Sequence, residues 1–203
     1  MRQRAVTPNT ARTGRSFPQR GGELAAGKYC LAADVKLTED LLVSGEVTLC
    51  LNGYILTGTG TGPVIMVESG ADFTLCDCRE GAADVANEIN GVTYNSGAIT
   101  GGSAEQGGGA YVNGGSFAVS GGAIAGNTAF SGGGVCMWGG TFTMEGGTVS
   151  GNEATHGGGV CIREDSAFIL EGGTIVDNAA ISGGGIYRQR QRLPYEGRHG
   201  YRK

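Results

Sequence analysis

The residues of this chain best suited to metal or redox chemistry are six cysteines: Cys30, Cys50, Cys76, Cys78, Cys136 and Cys161. Their spacing argues against both uses. Cys76-Asp77-Cys78 is a C-x-C and not a C-x-x-C, and neither His156 nor His199 has a cysteine at zinc-finger spacing. Six cysteines in 203 residues are too sparse for a disulfide scaffold. The sequence therefore assigns no metal ligand and no cofactor. A second candidate is the run Arg163-Glu164-Asp165. Eliminative cleavage of an acidic polysaccharide needs a base opposite acids that bind calcium or neutralise the substrate carboxylate. Hydrolysis needs two carboxyls at a set separation. One base beside two acids reads more simply as a solvated corner, so no catalytic residue is assigned. The remaining candidates are binding residues. Tyr111, Asn113, Trp138 and Arg163 combine rings, an amide and a guanidinium able to stack on a sugar ring or a protein partner.

The elements that must position these side chains emerge from an internal repeat. Gly107–Ser131, Gly132–His156 and Gly157–Ser182 align with one another, the third longer by one residue, and a fourth copy starts at Gly183. Phe117, Phe142 and Phe168 are equivalent, as are Asn127, Asn152 and Asn178. Each copy holds three short apolar pieces separated by glycine pairs or asparagine. In the second copy these are Val135-Cys136-Met137, Phe142-Thr143-Met144 and the piece at Val149. Two of the pieces alternate, which marks strands with one buried face. Strands this short cannot bury a core alone. Three wound into a triangular coil can, if each pairs with its counterpart one repeat later, about 4.8 Å away. Glycine turns the corners and asparagine ladders can bond from coil to coil.

The reading is thus an all-β, right-handed parallel β-helix solenoid of about five coils of roughly 25 residues. It occupies 25–187, between a basic disordered tail at 1–24 and a basic non-repeat tail at 188–203. Residues 79–97 break the period and read as an insertion. Stacking predicts two outward rows: Tyr111, Cys136, Cys161 and Tyr187 in one, Asn113, Trp138 and Arg163 in the next. Phe117, Phe142 and Phe168 form an inward column and Asn127, Asn152 and Asn178 a structural ladder. Arg188 falls on the inward position of Ile162, which predicts an end to the helix at Tyr187.

Composition agrees. There are 41 glycines and 4 prolines, so glycine is near a fifth of the chain, against about 7% in ordinary proteins. No three-residue period exists, which excludes collagen. The net charge of −4 conceals basic ends and a body, 21–187, with four basic residues against 18 acids. Such a body repels nucleic acid. No apolar run is long enough for a membrane span, and no signal peptide is read at the start of this chain.

GKYCLAADVKLTEDLLVSGEVTLCLNGYILT at Gly27–Thr57, then PVIMVESGADFTLCDC and GGTFTMEGGTVSGNEA, resemble the glycine-rich β-helix regions of surface proteins from gut Firmicutes and related bacteria. The resemblance covers about 25–187 and implies a pectin-lyase-like fold. It also implies an extracellular or cell-surface parent protein. The uncapped end after Tyr187 and the unread export signal are what a piece of a longer solenoid would show, the alternative being a small protein that caps itself by association. The expected role is a non-enzymatic, adhesin-like module binding host or dietary glycan or a surface protein. The alternatives are a polysaccharide lyase or glycoside hydrolase domain of the same fold, or a purely structural stalk. The paired aspartates and Gly-His-Gly of pectin hydrolases are absent.

Overall fold

A computed structural model describes residues 17–163 and 165–189. Most of the two expected basic tails, and Glu164, lie outside the described residues. Within the tails, Gly22–Leu24 forms the first strand, and Arg188 closes the last one, Ile186–Arg188.

The chain is a parallel β-solenoid. Its strands are three to five residues long, and those of the stack pair in parallel with their counterparts one coil away. A seven-stranded first sheet runs from Gly22–Leu24 to Ile186–Arg188, and a six-stranded second sheet from Gly27–Cys30 to Ser166–Leu170. A six-stranded third sheet runs from Val35–Leu37 to Thr174–Val176. The sheets give about six coils, close to the five read from the sequence.

The triangular coil needs correction. From Ser103 onward every coil carries a fourth strand: Ser103–Gln106, Thr128–Ser131, Glu153–His156 and Ala179–Ser182. Its alternation is carried by alanine and serine, which bury little apolar area, so it does not stand out as a strand in the sequence.

The interior is one apolar cluster running the length of the stack. Phe73, Phe117, Phe142 and Phe168 lie in register and stack ring on ring, with centroids 5.2, 5.1 and 5.4 Å apart. Beyond Phe73 the same column continues as Val47 and then Gly27.

The asparagine ladder closes the corner after the third sheet. The Asn152 carboxamide donates to Ile124 O at 2.9 Å and to Asn178 Oδ1 at 2.9 Å. Its oxygen accepts from both the backbone N–H and the side chain of Asn127, each at 3.0 Å. The column ends at Gly102, whose N–H donates to Asn127 Oδ1. A buried amide satisfied on both sides fixes the turn and the step to the next coil at once.

Residues 79–97 leave the stack as an insertion built on an antiparallel hairpin, Asn87–Ile89 with Val92–Tyr94. The hairpin is tied down by Tyr94, whose hydroxyl lies 2.8 Å from Ser150 Oγ, and by Asn87, which donates to Gly53 O and Ser96 O.

Candidate functional site

The first and fourth sheets meet at the three-glycine corner. Of the sequence-predicted binding residues, Arg163 reaches this corner, whereas Asn113 and Trp138 end first-sheet strands on the side of the second sheet, and Trp138 joins the site through its contact with Arg163. Strand Val135–Trp138 alternates as a half-buried strand must: Val135 and Met137 belong to the core and Trp138 points out. The indole is 51% exposed. Asn113 pairs with Trp138 in register and is exposed. One coil on, Arg163 follows strand Val160–Ile162 and is held by its N–H to Met137 O at 3.1 Å. Its guanidinium lies 5.2 Å from the Trp138 ring centroid, a cation–π contact.

From there Arg163 reaches across to the fourth sheet. One terminal nitrogen donates to Ser131 Oγ at 2.8 Å and the other to Gln189 Oε1 at 3.1 Å. Beside it the fourth sheet contributes Phe130 and His156. Phe130 is 52% exposed, its ring 5.3 Å from the His156 imidazole, which in turn lies 5.1 Å from the Tyr187 ring. Phe130, Ser131, His156, Arg163, Tyr187 and Gln189 line one groove.

The row Tyr111, Cys136, Cys161, Tyr187 is in register, with Tyr111 half-buried. Its two thiols are not exposed, contrary to the expectation for an outward row. Cys136 is fully buried and Cys161 nearly so. The fourth sheet brings Ser131 against Cys161, and Arg163 lies over both sulfurs. Cys161 is pulled down to about 7 by its hydrogen bond with Cys136, and next by the Arg163 charge, against the opposing effect of burial. The Cys136 thiol is pushed up by that same hydrogen bond and by burial. Both are free thiols.

Four contributors escaped the sequence reading: Phe130, Ser131, His156 and Gln189. The available signal was compositional. Phe130 stands where the other copies have Thr155 and Ile181, and His156 stands between Ser131 and Ser182 in the ladder.

A second cluster lies at the other end of the solenoid, where the sequence assigned no ligands. Cys30, Cys50 and Cys76 end three successive strands of the second sheet and are in register. Cys78 turns back onto them, its Sγ 3.2 Å from Cys50 Sγ and 3.4 Å from Asn52 Oδ1. The Sγ atoms of Cys30, Cys50 and Cys78 lie within 4.8 Å of one another. Cys50 is lowered to about 5, chiefly by its hydrogen bond with Cys76 and then by Cys78, while burial pushes Cys30 up to about 11.

Comparison of the chain with protein-family models, with curated proteins and with solved structures finds no match, so its fold rests on its own geometry: a glycine-cornered parallel β-solenoid.

Proposed function

We propose that this chain is a non-enzymatic module of a secreted or cell-surface protein that binds glycan at the corner between the first and fourth sheets. The observation that carries the reading is the pairing of Trp138 with Arg163 beside the Phe130–His156–Tyr187 row. A sugar presents an apolar C–H face and a rim of hydroxyls. Trp138 and Phe130 offer open aromatic faces, which the apolar side can cover. Arg163, Ser131, His156 and Gln189 supply donors and acceptors around them, the pattern of a site that fixes a polar ligand's orientation. Ser131 and Gln189 hold the two terminal nitrogens of Arg163, an arrangement that suits the positioning of a ligand.

The test is a glycan array probed with the labelled chain, followed by titration of the best ligand against Trp138→Ala and Phe130→Ala. Both side chains are half exposed, so both variants should fold. Binding should weaken about tenfold or more in each, equivalent to about 1.4 kcal/mol. A blank array, or a ligand bound equally well by Trp138→Ala, would overturn the reading. Release of shortened products from that ligand would replace it with an enzymatic one.

A further inference from the structure

The thiol cluster has a geometry that no part of the glycan site explains. Strands Gly27–Cys30, Glu46–Cys50 and Asp72–Cys76 are parallel and in register, so their terminal cysteines step along the outer face of the second sheet. Neighbours on such a ladder are about 4.8 Å apart at the backbone. A ladder alone would give a line of thiols and no enclosed site. Cys78 converts the line into a cluster. After Cys76 the chain bends at Asp77, whose carboxylate accepts from Gly53 N at 2.8 Å and Arg79 N at 3.0 Å, and also from Gly97 N. That clamp turns Cys78 back across the coil boundary, where its own N–H donates to Cys50 Sγ at 3.3 Å.

We propose that Cys30, Cys50 and Cys78 form a three-thiolate site for a thiophilic d10 cation, Zn2+ or Cu+. Three sulfurs within 4.8 Å of one another already approach what such an ion requires. Zn–S bonds of about 2.3 Å in tetrahedral geometry place the sulfurs about 3.8 Å apart. Closing the remaining gap asks for side-chain rotation and no movement of the sheet. All-sulfur donor sets select these soft ions over hard ones such as Mg2+ or Ca2+. A disulfide would use two of the thiols and leave the third without a purpose. The Cys78 N–H aimed at Cys50 Sγ is the kind of outer contact that orients a metal-bound thiolate. Cys78 is exposed, which provides the entry path, and the groove beside the cluster is lined by Lys28, whose charge offsets an anionic metal–thiolate group. Each sulfur binds as its thiolate, so any proton it still carries passes to solvent as its metal–sulfur bond forms. Cys76 or a water molecule completes a fourth position for Zn2+, whereas Cu+ is content with three sulfurs.

Because the three ligands come from three successive coils, the ion would clip the N-terminal end of the stack together. The experiment uses the full chain, reduced, stripped with a chelator and kept under anaerobic conditions. Zn2+ and Cu+ are titrated in separate arms, with metal per chain counted by native mass spectrometry and unfolding followed by calorimetry. One ion per chain and a rise in Tm are expected in at least one arm, and the preferred arm identifies the ion. Cys78→Ser, an exposed substitution, should abolish the stoichiometric ion and the rise in Tm. Cys136→Ser, at the opposite end, should retain both. Absence of stoichiometric binding in both arms overturns the site. So does an ion that survives Cys78→Ser, or a Cys50–Cys78 disulfide that forms despite equimolar metal.

Discussion

The two halves of the stack solve the same problem differently. From Ala110 to Ile186 the coils are nearly identical: Ala110 pairs with Val135, Val135 with Val160 and Val160 with Ile186. Here a phenylalanine column, an asparagine ladder and a fourth strand recur in every coil. From Gly22 to Val67 the step is irregular, 19 residues from Gly22 to Leu41 and 24 from Leu41 to Ile65. There the column holds valine and glycine, the asparagine ladder has ended, and cysteines line the outer face. The lesson is that a solenoid needs only in-register strands and a filled interior. Fixed coil length comes from devices that repeat, and where they stop the length drifts.

The sharpest way to break this comparison is to remove one side chain of the same column in each half. Phe117 is buried between two rings, with centroids 5.2 and 5.1 Å away. Phe117→Ala empties a space the neighbouring coils cannot close, and should cost about 4 kcal/mol of stability in urea unfolding. Val47→Ala, at the same column position in the irregular half, removes far less volume and should cost about 2 kcal/mol. Equal losses would mean that the aromatic stack adds nothing special to the regular half.

The ladder gives the next largest effect. Asn152→Ala removes four hydrogen bonds at once. It leaves the Asn127 N–H and the Ile124 carbonyl without these partners in a dry corner, at a cost of about 3 kcal/mol. Hydrogen exchange should localise the loss to amides of the coils at 107–182. If protection instead falls evenly along the chain, the ladder does not belong to one half.

Much of this architecture was legible in the sequence, and the illegible parts share a cause. The repeat at Gly107–Ser182 sets the register because Phe117, Phe142 and Phe168 carry large volume at a fixed spacing. The break at 79–97 was visible as lost period, but its hairpin was not, since it is held by tertiary bonds from Tyr94 and Asn87. The fourth strand was hidden because Ala129, Ala154 and Ser131 give a faint alternation. That omission propagated into the candidate site. Without the fourth sheet there is no Ser131 against Cys161, and no Ser131 or Phe130 beside Arg163. Part of the thiol cluster was legible: Val47–Asn52 matches Phe73–Cys78 at 26 residues, which sets Cys50 beside Cys76 on adjacent coils, as the register shows. Cys30, only 20 residues before Cys50, and the turn that brings Cys78 back carry no such signal.

The smallest effects come from the corners, and they separate crowding from backbone strain. A Cβ at Gly133 would lie 2.5 Å from the Glu153 carbonyl oxygen and 2.7 Å from that of Gly158. Backbone of the next coil must move, so Gly133→Ala should cost about 2 kcal/mol. Gly70, at the corner between the first and second sheets where the irregular half ends, has φ +79 and no atom within 4 Å of a built Cβ. Gly70→Ala therefore meets left-handed strain alone, about 1 kcal/mol. Gly70→Asn should recover part of that loss, because asparagine tolerates the left-handed region, as Asn52 does at φ 53 in the same half. No recovery in Gly70→Asn, measured by thermal unfolding beside Gly70→Ala, would show that this corner too is limited by packing, and the contrast between the halves would then vanish at their corners.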